Sequence, residues 1–166
     1  MSVRDTSGPS NSTRYVFGTR DTICYRFPPN RHGVGIHTNY LIMDRSDATT
    51  SEAFWTVLER GQSPPVHVHP ELEQLMYVTE GQADLAVGTT TQPLAAGDLV
   101  RIPPGTPHAV VARGDGRVVY LTVDCFADGR PAREPSWDSH VLVQCAEEGW
   151  PFEGVRQGPA TLQRRP

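Results

Sequence analysis

Lysine is absent from this chain of 166 residues, in which all fifteen basic residues are arginines and nineteen residues are acidic, giving a formal charge of −4. The absence of lysine excludes chemistry through a lysine amine, such as a Schiff base. No run of basic residues is available to follow a phosphate backbone, so we expect no binding of nucleic acid. No apolar segment approaches the roughly 20 residues that span a bilayer, and the start, "MSVRDTSGPSNSTR", has no apolar signal-peptide core. We therefore expect a soluble, cytoplasmic protein with no membrane partner.

Cysteine is scarce as well. Cys24, Cys125 and Cys145 are odd in number, widely spaced and without a CxxC pair. This pattern indicates neither a disulfide framework nor a zinc knuckle. We predict that the three side chains are buried free thiols.

Glycine and proline, fifteen of each, divide the chain into short segments. Apolar, strand-like runs lie between these turn residues and are "RYVF", "TICYRF", "TNYLIMDR", "EAFWTVLER", "QLMYVTEG", "QADLAVG", "DLVRIPPG", "HAVVARGDG" and "RVVYLTVDCF". Strands at this spacing predict an all-β sandwich or small barrel. We predict a flexible leader over 1–12, one β-barrel domain over 13–126 and a partly irregular C-terminal extension over 127–166, where "DSHVLVQCAEEGW" is compatible with a strand or a short helix.

Two segments in the central part of the chain carry the chemistry. In the first, His67 and His69 are separated by one residue, so on a strand their imidazoles share a face. In the second, "GDLVRIPPGTPHAVVA", a turn at Gly105 sends the chain back and His108 begins the return strand. Imidazole is the commonest metal ligand, and such a hairpin can bring the third histidine beside the first two.

These segments resemble the two sequence motifs of the cupin family. The positions that match are Gly61, His67, His69 and Gly81 in the first motif and Gly97, Pro103, Gly105 and His108 in the second. Two positions differ, because Gln74 replaces a glutamate and Ala112 replaces an asparagine. The resemblance implies a double-stranded β-helix (a cupin, or jelly-roll, barrel) that holds one divalent metal ion inside. It also implies a homodimer, for which "RYVF" and "TICYRF" are plausible exchanged edge strands.

The fourth ligand is either Gln74 or its neighbour Glu73. Neighbouring residues on a strand face opposite ways, so only one of them can point inward. If Gln74 is inside, Met76 and Val78 line the barrel with it. Some cupins with a similar "EQ" pair are thought to use the glutamine, which makes Gln74 the preferred ligand and Glu73 the alternative.

Several further residues are weaker candidates. Glu73, Arg101 and Tyr40 are candidate catalytic groups, because each could present a polar group to a substrate. "HGVGIHTNY" places further polar side chains in a predicted entrance loop, where solvated loop residues are the commoner outcome. The segment "SWDSH", with Trp137 and His140, is a possible lid or dimer contact.

The predicted function is that of a metal-dependent enzyme acting on a small, anionic or enolisable organic substrate. Fe(II) with dioxygenase chemistry is preferred, while zinc, manganese, nickel or copper are possible. The alternatives are a Lewis-acid cyclase or isomerase in secondary, polyketide-like metabolism, and a cupin that binds a small molecule without turnover. An open cavity beside the metal ligands favours an enzyme, whereas a filled barrel favours a binding protein.

Overall fold

The structure, a computed structural model, describes residues 22–33 and 35–160. The predicted leader and the predicted strand "RYVF" lie outside these residues. Within them the chain is mostly β-structure, as the turn spacing predicts, and it is arranged as the double-stranded β-helix that the motif resemblance implies. The elements, in chain order, are β1 (Thr22–Phe27), β2 (His37–Met43), β3 (Ser51–Leu58), β4 (Leu72–Glu80), β5 (Gln82–Val87), β6 (Thr90–Ala95), β7 (Leu99–Ile102), β8 (His108–Ala112), β9 (Val118–Phe126), α1 (Trp137–Glu148), α2 (Phe152–Val155) and β10 (Arg156–Ala160).

The strands form two antiparallel sheets. The larger sheet has the order β10-β1-β2-β3-β9-β4-β7, and the smaller one has the order β6-β5-β8. Alternation along the strands gives each sheet an apolar inner face. The inner faces share a core of buried residues that includes Met76, Val78, Leu85, Val110 and Tyr120.

A second core joins the larger sheet to the C-terminal helix. Trp137, Val141 and Cys145 of α1 are buried against Tyr25 and Phe54. These three positions are four residues apart and therefore lie on one face of the helix. The segment whose sequence is compatible with a strand or a helix is therefore a helix.

The ends of α1 explain why this segment is helical. Ser136 and Ser139 form a reciprocal capping box at its start, and Gly149, in the left-handed conformation, ends it. Asp44, from the turn after β2, also accepts a hydrogen bond from the Trp137 backbone N–H at 3.1 Å. The helix start is thus fixed to the sheet as well as capped locally.

Two strands escaped the sequence analysis. β6 contains Pro93 and exposes every side chain except Leu94, because it is an edge strand. β10 has the sequence "RQGPA" and pairs with β1, again at an edge. Neither strand carries the apolar alternation that marks a half-buried strand.

β10 also changes one expectation about assembly. With β2 on one side and β10 on the other, β1 has both edges paired. The segment "TICYRF" is therefore a strand as predicted, but it does not offer an exposed edge for exchange.

The remaining sequence expectations concern cysteines and membranes. All three cysteines are free thiols; Cys24 and Cys145 are buried, and Cys125 is partly buried. Across residues 22–33 and 35–160, no helix has both the length and the apolar character needed to cross a membrane.

Candidate metal centre

The backbone brings the two histidine segments together. His67 and His108 form an antiparallel bridge, in which each backbone N–H donates to the carbonyl of the other at 3.1 and 3.0 Å. The Gly105 N–H donates to the His69 carbonyl at 2.9 Å, so the turn of the second segment is attached to the first. Residues 67 and 69 lie in an irregular segment before β4 rather than on a regular strand, yet both imidazoles face inward while Val66 and Val68 are exposed.

The three imidazoles converge on one point. One ligand atom from each of His67, His69 and His108 lies within 4.8 Å of the others. His67 Nδ1 and His108 Nδ1 lie 2.8 and 2.9 Å from the carbonyls of Pro65 and Thr106, so each Nδ1 carries the proton and each Nε2 keeps a lone pair. His69 Nε2 is buried and has no hydrogen-bond partner among the described residues.

This arrangement fits a metal ion. A buried ring nitrogen without a partner is costly in a folded protein, and a cation accounts for it. Nitrogen ligands approach a zinc-like ion to about 2.1 Å, which three converging nitrogens can reach with small side-chain movements. A backbone carbonyl that orients the second ring nitrogen is the usual support for a metal-ligating histidine.

The pKa values of these histidines are those of neutral ligands. Burial, with a smaller effect of the neighbouring histidines, lowers the pKa of His67 to about 4 and that of His69 to about 3. Burial also lowers the pKa of His108. Since metals bind neutral imidazole, the site needs no deprotonation step at neutral pH.

Gln74 completes the group from β4. Its side-chain Oε1 lies 3.1 Å from His108 Nε2, and its Nε2 donates to Asp124 Oδ1 at 2.9 Å. Asp124 fixes the amide in the orientation that turns oxygen toward the histidines. With His108 Nδ1 protonated, two lone-pair atoms face each other at 3.1 Å, an arrangement that a shared cation stabilises.

Behind Gln74 lies a buried network of ionisable groups. Burial, together with the adjacent Glu52 carboxylate, holds the pKa of the Asp124 carboxyl well above its usual range. Arg45 donates to both oxygens of Glu52, at 2.6 and 2.7 Å, and to Glu134 at 3.2 Å. This network is not among the sequence predictions, although strand alternation places Asp124 on the same face of β9 as Thr122, two residues before it.

The candidate catalytic residues are placed elsewhere. Glu73 and Arg101 form an ion pair on the opposite face of β4 and β7, where Arg101 is 61% exposed. Tyr40 on β2 pairs with Cys24 on β1 and with Trp55 on β3, and its side chain lies on that same outer face. The neighbouring residue, Asn39, lines the interior. The structure thus brings Gln74 to the histidines and keeps these three candidates away from them.

An open cavity of about 470 Å³ lies beside the histidines. Its apolar wall comes from both sheets and includes Phe27, Phe54, Met76, Val110 and Phe126. One side of α1 closes it through five residues, which are Trp137, His140, Val143, Gln144 and Glu147. The barrel is therefore not filled by its own side chains, and the "SWDSH" segment forms a cavity wall.

Comparison with known proteins agrees with this architecture. Residues 54–124 match the family model described as Cupin domain. No curated protein is similar enough to the chain to count as a match.

Similar solved structures include the following three. A predicted oxalate decarboxylase from Thermotoga maritima has 19% identity and a TM-score of 0.60, with 68% of this chain and 99% of that chain covered. An RmlC-like cupin from Shewanella frigidimarina has 20% identity and a TM-score of 0.55, with 70% and 93% covered. A Cupin 2 conserved barrel domain protein from Salinispora arenicola has 34% identity and a TM-score of 0.44, with 46% of this chain and 64% of that chain covered.

Proposed function

We propose that this chain, whose residues 54–124 match the Cupin domain model, is a metal-dependent enzyme whose ion is held by His67, His69, Gln74 and His108. The observation that carries the proposal is the convergence of three neutral imidazoles beside an open cavity. A purely structural histidine cluster would have its ring nitrogens satisfied, whereas His69 Nε2 has no partner among the described residues.

The charge of the ligands selects the substrate. Three imidazoles and one amide are all neutral, so a bound divalent ion would keep its full charge of +2. Such an ion supplies a positive centre for an anionic oxygen and, as Fe(II), a source of electrons for O₂. The proposed substrate is therefore a small organic anion or an enolisable carbonyl compound.

The cavity residues would bind the remainder of that substrate. Aromatic side chains such as Phe27 and Phe54 offer apolar contact area and exclude water. Asn39 and Thr56 provide a polar position within this apolar wall, where the Thr56 hydroxyl donates to Asn39 Oδ1 at 3.0 Å. A cavity of this size accommodates a small organic molecule.

The proposal includes two enzymatic reaction classes and one non-catalytic alternative. Dioxygenase chemistry with Fe(II) is the preferred reaction class. The second is Lewis-acid catalysis of a cyclisation or isomerisation, which the undiminished charge of the ion favours. A cupin that binds a small molecule without turnover is the third possibility, and the open cavity argues against it. We also propose that the protein is cytoplasmic and that it forms a homodimer. Light scattering of the purified chain measures the molecular mass and so tests the homodimer.

The test begins with the metal. Protein purified without an affinity tag is analysed for its elements, then depleted, reloaded with Fe(II) and assayed for O₂ uptake with candidate anions. About one iron per chain with substrate-dependent uptake supports the dioxygenase, while one zinc per chain without uptake supports the Lewis-acid enzyme. Failure to bind any of iron, zinc, manganese, nickel or copper at neutral pH would exclude both.

A matched pair of variants locates the ion. His69→Gln removes a proposed ligand and should lower the affinity for Zn²⁺ at least tenfold. His37→Gln makes the same change at another cavity-lining histidine, whose Nδ1 lies 2.9 Å from the Gly35 carbonyl, and should retain wild-type affinity. Equal loss in both variants would count against the proposed ligand set.

A further inference from the structure

A histidine–carboxylate pair lies in the C-terminal part of the chain, outside the segment that matches the cupin family model. His140 Nδ1 and Glu134 Oε2 are 2.7 Å apart. Glu134 precedes α1 and His140 stands on its first turn, so the capped start of the helix fixes their spacing. Neither residue belongs to the proposed metal ligands.

Glu134 is held in place from several sides. Besides His140, Arg45 Nη1 donates to Glu134 Oε2 at 3.2 Å, and Arg133 Nε lies 3.3 Å from Oε1. The hydrogen bond from His140, helped by the charges of Arg45 and Arg133, lowers the pKa of the Glu134 carboxyl to about 2 despite its burial. Glu134 is therefore an anion at neutral pH, and an anion can only accept the hydrogen bond.

This fixes the state of the histidine ring. Because Glu134 accepts, His140 Nδ1 must carry a proton. The imidazole lines the cavity and lies 5.5 Å, centre to centre, from the Trp137 ring. Nε2 is thus the ring atom left for a molecule in the cavity, as a base when neutral and as an acid when protonated.

The pair shares its cavity with the proposed metal ligands. His67, His69, His108, His140 and Glu134 all line the same space. A carboxylate that orients an imidazole toward a reacting atom is a recurrent arrangement in enzymes that move protons.

We propose that His140 is the acid–base residue of this cavity and that Glu134 is its positioning residue. The proposal rests on the metal-dependent function inferred above. His140 Nε2 takes a proton from the carbon next to the carbonyl of an enolisable substrate: the C–H bond breaks and its electron pair remains on the substrate as an enolate. Return of the proton to the same or a conjugated carbon restores neutral His140, so the step needs no further reactant.

Proton exchange with solvent tests this step without knowledge of the natural substrate. The full chain, loaded with Zn²⁺, is incubated in D₂O with 2-oxo acids of increasing apolar length, and loss of the C3–H signal is followed by ¹H NMR. We expect exchange faster than with metal-free protein for at least one acid. His140→Gln can still donate to Glu134 but cannot carry the proton, so the rate at saturating probe should fall by about 100-fold or more.

Four measurements separate a proton-transfer role of His140 from a structural one. In His140→Gln the zinc content and the half-saturating probe concentration should stay near wild type. Glu134→Gln, which keeps the imidazole, should also slow exchange, by a smaller factor. His32→Gln makes the same change at an exposed histidine outside the cavity and should leave the rate unchanged.

The outcomes distinguish the two proposals. Wild-type protein that binds no zinc contradicts the proposed function. Protein that binds zinc but exchanges no proton, or that exchanges equally fast as His140→Gln, overturns the role of His140 alone. If His140→Gln loses its fold or its zinc, Glu134→Gln decides, and an unchanged rate in that variant overturns the assignment.

Discussion

The Gln74 amide donates from Nε2 to Asp124 Oδ1 at 2.9 Å, which leaves its Oε1 3.1 Å from His108 Nε2. Asp124 is 3% exposed and lies on β9, directly opposite Gln74 in the pairing of β4 with β9. An amide has two similar ends, and this hydrogen bond determines which one faces the histidines. Asp124, which lies behind the proposed ligand, therefore determines that Gln74 presents an oxygen atom to the histidines.

Asp124→Leu removes the acceptor and should lower affinity for Zn²⁺ by about 10- to 100-fold, because the amide loses its fixed orientation. Asp124→Asn retains an oxygen acceptor and should show a smaller loss of affinity for Zn²⁺. The measurement is competition with a chromophoric chelator, with Asp84→Asn on the smaller sheet as a control. Wild-type affinity in a folded Asp124→Leu variant would show that the carboxyl does not orient Gln74.

His37 provides a prediction about pH. Burial, partly offset by the hydrogen bond to the Gly35 carbonyl, lowers the pKa of His37 to about 4. The unfolded chain, in which a histidine has a pKa near 6.5, therefore binds more protons than the folded protein between about pH 6.5 and 4. The stability that neutral His37 contributes is complete above about pH 6.5 and is lost as the pH falls toward 4.

The comparison of wild type with His37→Gln isolates this contribution, because other titrating groups are common to both proteins. The difference in free energy of unfolding should shrink as the pH is lowered, by up to about 1.4 kcal/mol per pH unit. Urea titrations in the presence of a chelator measure it from pH 7 to 4.5. A difference that stays constant over this range would contradict the lowered pKa of this partly buried histidine.

Much of the proposed site follows from the sequence, because it depends on local rules. Spacing places His67 and His69 on one side of the chain, and the turn at Gly105 returns His108 to them. Alternation along β4 puts Gln74 on the inner face with Met76 and Val78, which is the preferred of the two sequence interpretations.

The other side of the cavity depends on contacts between residues far apart in sequence. Arg45 and Glu134 are hydrogen-bonded although 89 residues separate them in sequence. Asp44 accepts a hydrogen bond from the Trp137 N–H at the start of α1, which lies 93 residues further along the chain. No periodicity in "AREPSW" indicates that its glutamate meets an arginine from the turn after β2. The surroundings of the His140–Glu134 pair depend on how α1 packs against the sheet, which the sequence does not indicate.

The docking of α1 makes a prediction about stability. The Tyr25 hydroxyl donates to Asp138 at 2.5 Å, which ties β1 to the first turn of the helix. Tyr25→Phe should lower the free energy of unfolding by about 2 kcal/mol, since a hydrogen bond to a charged acceptor is lost inside the protein. Chemical denaturation measures it, and Tyr77→Phe, at an exposed position of β4, should change little. Equal effects of the two substitutions would contradict the anchoring role of Tyr25.

Gly81 makes a prediction about the turn between β4 and β5. Its φ is +82°, and an added Cβ would lie 2.1 Å from the Arg117 carbonyl oxygen, closer than any real contact. Gly81→Ala should therefore lower the free energy of unfolding by about 3 kcal/mol, because overpacking and left-handed backbone strain add together. Gly88→Ala has a φ of +58° but open space around it, and should cost about 1 kcal/mol. Similar unfolding midpoints for the two variants would show that the backbone at Gly81 moves aside.

The wall that α1 contributes to the cavity has a consequence for how this protein can change. The proposed metal ligands come from the segment over 54–124, whereas Gln144 and Glu147 of α1 belong to a part of the chain that follows it. The helix is fixed by its own cap, by Asp44 and by Tyr25, none of which holds a proposed ligand. Substitutions at Gln144 and Glu147 can therefore reshape the space offered to a substrate while the proposed ligands and His140 stay in place, so selectivity can be varied separately from reactivity.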